Sequence, residues 1–83
     1  MHTIMAVVVN QRSQKANNVQ DVLTKAGCII KVRLGLHEAS SDACSEEGLI
    51  VLQLIGSVEE NQKLQNDLNA ISGVKAEKLE ISL

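Results

Sequence analysis

The sequence predicts an α+β domain, a ferredoxin-like split βαβ sandwich in which two helices cover one face of a four-stranded antiparallel sheet. Three observations predict it. The first is a duplication: Val19, Leu23 and Ala26 recur as Leu64, Leu68 and Ile71, each pair 45 positions apart, and Gly27 recurs as Gly73, 46 apart. The second is what flanks each copy, an apolar run before it (Ile4 to Val9; Leu49 to Ile55) and a mixed apolar run after it (Cys28 to Leu36; Val74 to Leu83). The third is a set of helix-boundary residues at the places this plan requires. Strand, amphipathic helix and strand, written twice, fold under the right-handed crossover rule into a βαββαβ sandwich with strand order 4-1-3-2.

The first strand, Thr3 to Val9, is nearly all apolar, as suits a central strand buried on both faces. After the polar break at Asn10 to Ser13, Ser13 serves as N-cap for a helix from Gln14 to Ala26, with Ala16, Val19, Val22, Leu23 and Ala26 as its apolar stripe. Gly27 is the expected C′ residue, free to take the left-handed conformation.

The second strand alternates. Cys28, Ile30, Val32, Leu34 and Leu36 share the face expected on the core, and Ile29, Lys31, Arg33, Gly35 and His37 share a more polar one. Residues 38–47 follow, with four acids, three serines and no base. This connection is longer than most hairpin loops, which favours a functional loop or a disordered one. Gly48 opens the third strand, whose run Leu49 to Ile55 again fits a central position.

Ser57 and Glu60 form a capping box for the second helix, which runs to about Ile71 and stops at Ser72-Gly73. In the last strand the apolar phase shifts between Val74/Ala76 and Leu79/Ile81/Leu83, and a bulge near Lys78 is the expected cause.

With 83 residues the chain is read as one domain, 1–83. A domain this small buries only about 60% of its unfolded surface, so added stabilisation is expected. Two cysteines, with neither a signal peptide nor a dense cysteine framework, point to a reducing cytoplasm rather than disulfides. No apolar run approaches the roughly 18 residues of a membrane span. A partner subunit remains. Both parities of the two central strands are apolar (Ile4, Ala6 and Val8 beside Met5, Val7 and Val9), so part of each must face the uncovered side of the sheet. Such a face usually marks an interface, here a homo-oligomer, a dimer or tetramer, joined through the open sheet or by edge pairing. Direct nucleic-acid binding is not expected: the chain has no Phe, Tyr or Trp to stack bases and a net charge of −2.

Two segments carry a family resemblance. Arg33-Leu34-Gly35-Leu36-His37-Glu38, followed by an apolar third strand, and Ile71-Ser72-Gly73-Val74-Lys75 are similar to the iron-only hydrogenase system regulators, a small bacterial family made of one ACT-like domain. The resemblance covers nearly the whole chain on short, apolar motifs. It implies a ligand- or metal-sensing regulatory domain acting as a homo-oligomer, in transcription or the hydrogenase system, without a DNA-binding domain of its own. Amino-acid-binding ACT domains usually carry a glycine in the turn from first strand to first helix; here Asn10 to Ser13 has none. The nickel-responsive repressors use a related domain, with histidines ending the second strand and a cysteine before the third. His37 and Cys44 stand in comparable places, without the paired His-x-His spacing, so a metal site would be incomplete within one subunit.

The candidate site residues gather where the second strand ends and the long loop begins. His37 and Cys44, with Glu38 or Asp42, offer imidazole, thiolate and carboxylate to a divalent zinc, nickel or iron ion. The bland reading is a solvated histidine beside a solvated acidic loop, because one His and one Cys seven apart is not a specific spacing. Arg12 and Arg33, with Lys31, suit an anionic small ligand, Arg12 lying just before the first helix's positive end, and Gly35 permits close backbone approach. Each cation is more often a solvated surface charge. Cys28 is expected as a buried hydrophobe. No catalytic signature stands out: the fold's phosphate-hydrolysing members need an arginine in a glycine-rich first turn, its metallochaperones a Met-x-Cys-x-x-Cys there, and both are missing. The chain is therefore read as a sensor and not an enzyme. The other reading is a protein-interaction adaptor using residues 38–47.

Overall fold

The computed structural model of the chain describes residues 1–10, 12–36 and 47–83, with the backbone alone for 12–16 and 36. Among these the order is β1 (His2–Val9), α1 (Arg12–Lys25), a single 3-10 turn (Gly27–Ile29), β2 (Ile30–Leu36), β3 (Gly48–Leu54), α2 (Val58–Asn69) and β4 (Val74–Ile81). The strands form one antiparallel sheet in the order β2-β3-β1-β4, the expected topology.

Alternation along β1 builds the core. Thr3, Met5, Val7 and Val9 are buried beneath the helices, and across the ladder Met5 lies opposite Leu52 and Val7 opposite Ile50. Directly paired residues share a sheet face, so Leu52 and Leu54 of β3 and Val74 and Ala76 of β4 complete the same layer. Onto it α1 sets Val19 and Leu23, and α2 sets Leu64 and Leu68. These four are the residues of the duplication.

The capping box of α2 is formed as expected. The Glu60 N–H donates to Ser57 Oγ at 3.1 Å, and the Ser57 N–H donates to Glu60 Oε1 at 2.9 Å. After α2, Gly73 takes a positive φ of 82°, the conformation that stops the helix and turns the chain into β4. Its carbonyl accepts the Asn10 N–H at 2.8 Å, which ties the end of β1 to the α2–β4 turn.

Several expectations are corrected. Helix α1 starts at Arg12, so Ser13 lies inside the helix and is not its cap. Intrinsic preferences among Arg, Ser and Gln differ by only a few tenths of a kcal/mol, too little to fix a boundary. Gly27 does not take the left-handed C′ conformation; it opens the 3-10 turn, in which the Ile29 N–H donates to the Ala26 carbonyl at 3.0 Å. Cys28 therefore lies on that turn and is exposed, not buried in a strand.

The bulge lies in β2, not in β4. Ile30 pairs with Leu54 and Val32 with Gln53, leaving Lys31 as the extra residue. Beyond it the parity is inverted: Arg33 and Gly35 lie opposite Leu52 and Ile50 on the helix side, while Val32 and Leu34 are 50% and 53% exposed on the other. In β4 the register to β1 is unbroken from Val74 to Ile81. The phase shift there is a change of face. Val74 and Ala76 sit under the helical layer, whereas Leu79 and Ile81 emerge on the opposite face, 59% and 49% exposed.

The open face is apolar, as anticipated. Register places Leu49 beside Val8, then Leu34, Val51 and Ala6 in a row, then Val32, Gln53, Ile4 and Leu79 in the next. Lys75 and Glu77 lie along one margin on β4. Among the described residues, no helix covers this face. No described helix is long and apolar enough to cross a membrane.

Candidate functional site

The sheet gathers several chain ends at one place. Val9, the last residue of β1, lies opposite Gly48, the first of β3, and opposite Val74, the first of β4. Leu36, the last of β2, pairs with Leu49. The start of α1, which follows β1 closely, is thus at the same end of the sheet as the end of β2. Arg12 opens α1 and Gly35 is the penultimate residue of β2. The topology brings them to one end of the sheet, although the sequence separates them by 23 positions.

Arg33 is two residues deeper in β2, on the helix side because of the bulge at Lys31. Its Nη2 donates to Gln20 Oε1 of α1 at 2.5 Å. Gln20 was not singled out from the sequence; it is one of many polar residues on α1, and only the inverted parity of β2 brings Arg33 to it. The guanidinium, bonded to the Gln20 amide of α1, presents N–H donors at the exposed edge strand. Among the described residues, a Cβ at Gly35 would meet nothing within 4 Å. Close backbone packing therefore does not explain this glycine, and the space over it is open. Lys31 is exposed at the bulge.

His37, Glu38, Asp42 and Cys44 lie outside the described residues. Among the described residues no three His, Cys, Asp or Glu side chains cluster closely enough to hold a metal ion.

A concavity lies elsewhere, on the helical side. Val22, Lys25 and Ala26 of α1, Cys28 and Ile29 of the 3-10 turn, and Leu64 of α2 line a groove of about 610 Å³. Lys63 and Asp67 at its rim pair with each other at 2.7 Å. The furrow ends where Gly56 packs against the 3-10 turn: a Cβ at Gly56 would stand 2.8 Å from Ile29 Cγ2 and 2.9 Å from Asn61 Oδ1. Asn61, the buried polar residue of α2, donates from Nδ2 to the Gly56 carbonyl at 3.2 Å. Cys28 reaches this groove because the 3-10 turn takes it out of the strand alternation that predicted its burial.

No protein-family model matches the chain, and no curated protein matches it. Solved structures do. An uncharacterised protein from Thermotoga maritima superposes with a TM-score of 0.81 at 23% identity, over 94% of this chain and 92% of that one. The ACT domain from the GTP pyrophosphokinase of Chlorobium tepidum gives 0.71 at 15% identity, over 95% and 97%. A nitrogen regulatory PII-like protein from Thiomonas intermedia, bound to ADP, AMP and bicarbonate, gives 0.60 at 15% identity, over 99% and 91%. At these identities the likeness concerns architecture. The chain has an ACT-like fold.

Proposed function

We infer that the chain is a small-ligand-binding regulatory domain that acts as a homo-oligomer. The observation that carries this reading is the apolar open face of an ACT-like sheet, which includes half-exposed Val32, Leu34, Leu79 and Ile81. Contiguous apolar surface of this extent marks an interface more often than solvent-facing structure. The PII-like protein bound to ADP, AMP and bicarbonate, and the ACT domain from a GTP pyrophosphokinase, support the ligand half of the reading.

The ligand site proposed is the sheet end shared by Arg12, Arg33 and Gly35. The guanidinium of Arg33 and the space over Gly35, open among the described residues, favour a small anion, a carboxylate or phosphate. His37 and Cys44, with Glu38, extend it toward a divalent zinc, nickel or iron ion shared between subunits; the support is residue type alone. The similarity of the Arg33 to Glu38 and Ile71 to Lys75 segments to the iron-only hydrogenase system regulators supports a role in that system or in transcription. With a net charge of −2 and no aromatic residue to stack bases, the domain would act through a protein partner and would not touch DNA or catalyse a reaction itself.

Calorimetric titration tests this reading directly. Zinc, nickel, iron(II), ADP, AMP, bicarbonate and a panel of amino acids are titrated into the purified protein and into R33A, H37A and C44S. One class is expected to bind, and for an anion R33A should weaken it roughly tenfold or more, the worth of a hydrogen bond to a charged group. For a metal, H37A and C44S should each weaken binding without lowering the melting temperature of the ligand-free protein. If nothing binds and a pulldown through residues 38–47 captures a partner, the chain is an adaptor and the sensor reading fails.

A further inference from the structure

The two edges of the sheet are not equivalent. A free strand edge presents a row of unpaired N–H and C=O groups and so invites another strand. On β4 that row is partly filled from within. The Ala76 N–H donates to Asn69 Oδ1 at 2.7 Å, and the Ala76 carbonyl accepts Asn69 Nδ2 at 3.1 Å and Gln65 Nε2 at 3.0 Å. One side-chain amide thus offers an acceptor and a donor to one residue, as the backbone of a neighbouring strand would. Both backbone groups of Ala76 point away from β1, so by the alternation of an antiparallel ladder those of Val74, Lys78 and Glu80 do too. The Val74 N–H is also taken, by the Ile71 carbonyl at 3.1 Å. That leaves the Val74 carbonyl and the groups of Lys78 and Glu80, whose own side chains stand 3.9 Å apart as a charged pair at the edge.

We propose that Asn69, assisted by Gln65, closes the free edge of β4 against a strand from a second copy of this chain. The occupant excluded is a copy of β4 itself, because identical edges held near one another in an oligomer meet at high effective concentration. The opposite edge carries another device of the same kind, the bulge at Lys31, which distorts the pairing row of β2. With both edges impaired, self-association is directed to the open face. The proposal extends the homo-oligomer reading without depending on its ligand.

The test compares wild type, N69A and N69A/K78P by sedimentation velocity over a concentration series, with amide exchange followed by NMR. In the wild type, Ala76 exchanges slowly, and the outward amides of Lys78 and Glu80 exchange at rates independent of protein concentration. In N69A, exchange at Ala76 should accelerate roughly tenfold or more, the loss of about one buried hydrogen bond. Species larger than the wild-type assembly should appear as concentration rises. Proline at 78 removes an outward N–H, so N69A/K78P should return to the wild-type sedimentation profile. An N69A protein that is folded and sediments as wild type overturns the proposal, as do larger species that persist in N69A/K78P. Should N69A fail to fold, the wild type alone decides: concentration-dependent protection at Lys78 or Glu80 means the β4 edge pairs and the proposal is wrong. A wild type that is monomeric at every concentration would count against the homo-oligomer reading, while the N69A comparison would still judge the edge.

Discussion

Gly56 shows how one atom is decided by the packing around it. It stands between β3 and α2, and its nearest neighbours on the Cβ side are a branched carbon of Ile29 and the amide oxygen of Asn61. A Cβ there would fall inside van der Waals contact with Ile29 Cβ at 2.9 Å, an atom close to the backbone that cannot swing aside. Gly56→Ala should therefore destabilise the fold by about 1–3 kcal/mol, the usual cost of overpacking. A chemical denaturation midpoint unchanged from wild type would show that the 3-10 turn yields without cost. Arg33 makes a different point. The alternation of its strand assigned it to the polar face away from the core, yet it lies on the helix side and bonds Gln20. The residue type was legible in the sequence, and its neighbour was not.

The elements divide according to whether their signals are local. Helix α2 was legible at its N-terminus because the capping box is written within four consecutive residues and satisfies two N–H groups that the helix itself cannot. Its stripe of Leu64 and Leu68 repeats that of Val19 and Leu23, and all four are buried. Strand β2 was misread because one extra residue inverts everything after it, and no residue type announces a bulge. Deleting Lys31 should leave the pairs Ile30–Leu54 and Arg33–Leu52 intact and keep Val32 and Leu34 on the open face. The deletion variant should then retain the oligomeric state of the wild type, with a stability change under about 2 kcal/mol. Had sequence parity governed the strand, Val32 and Leu34 would lie under the helices in the wild type, and the deletion would instead throw them out of the core and abolish cooperative unfolding.

At the scale of the whole molecule, a small two-layer domain leaves one sheet face without a cover among the described residues. Val51 is half-buried at the centre of that face, between Leu34 and Ala6 in the register. Val51→Glu should give a protein with native circular dichroism that sediments as a monomer, because a carboxylate in a closed apolar interface has no partner. For the wild type the melting temperature should rise with protein concentration, since association stabilises the folded state by mass action. A Val51→Glu protein that sediments as wild type would remove the open face from the interface.

The sequence by itself determined the class of fold, the order of the strands and the apolar character of the open face. Periodicity and a duplicated helix stripe are short-range records of which side of each element meets a core, and crossover handedness leaves one topology for them. The identity of the Arg33 partner, the exposure of Cys28 and the closure of the β4 edge by Asn69 were decided only in the folded chain. Asn69 and Ala76 are seven positions apart, on different elements, and nothing in either residue names the other. Their bond exists because α2 packs on β4 at one particular rotation, set by Leu64 and Leu68 entering a core built on β1, β3 and β4. Which polar groups meet is a consequence of how the apolar ones pack. That physical order makes architecture readable from a chain before its sites are.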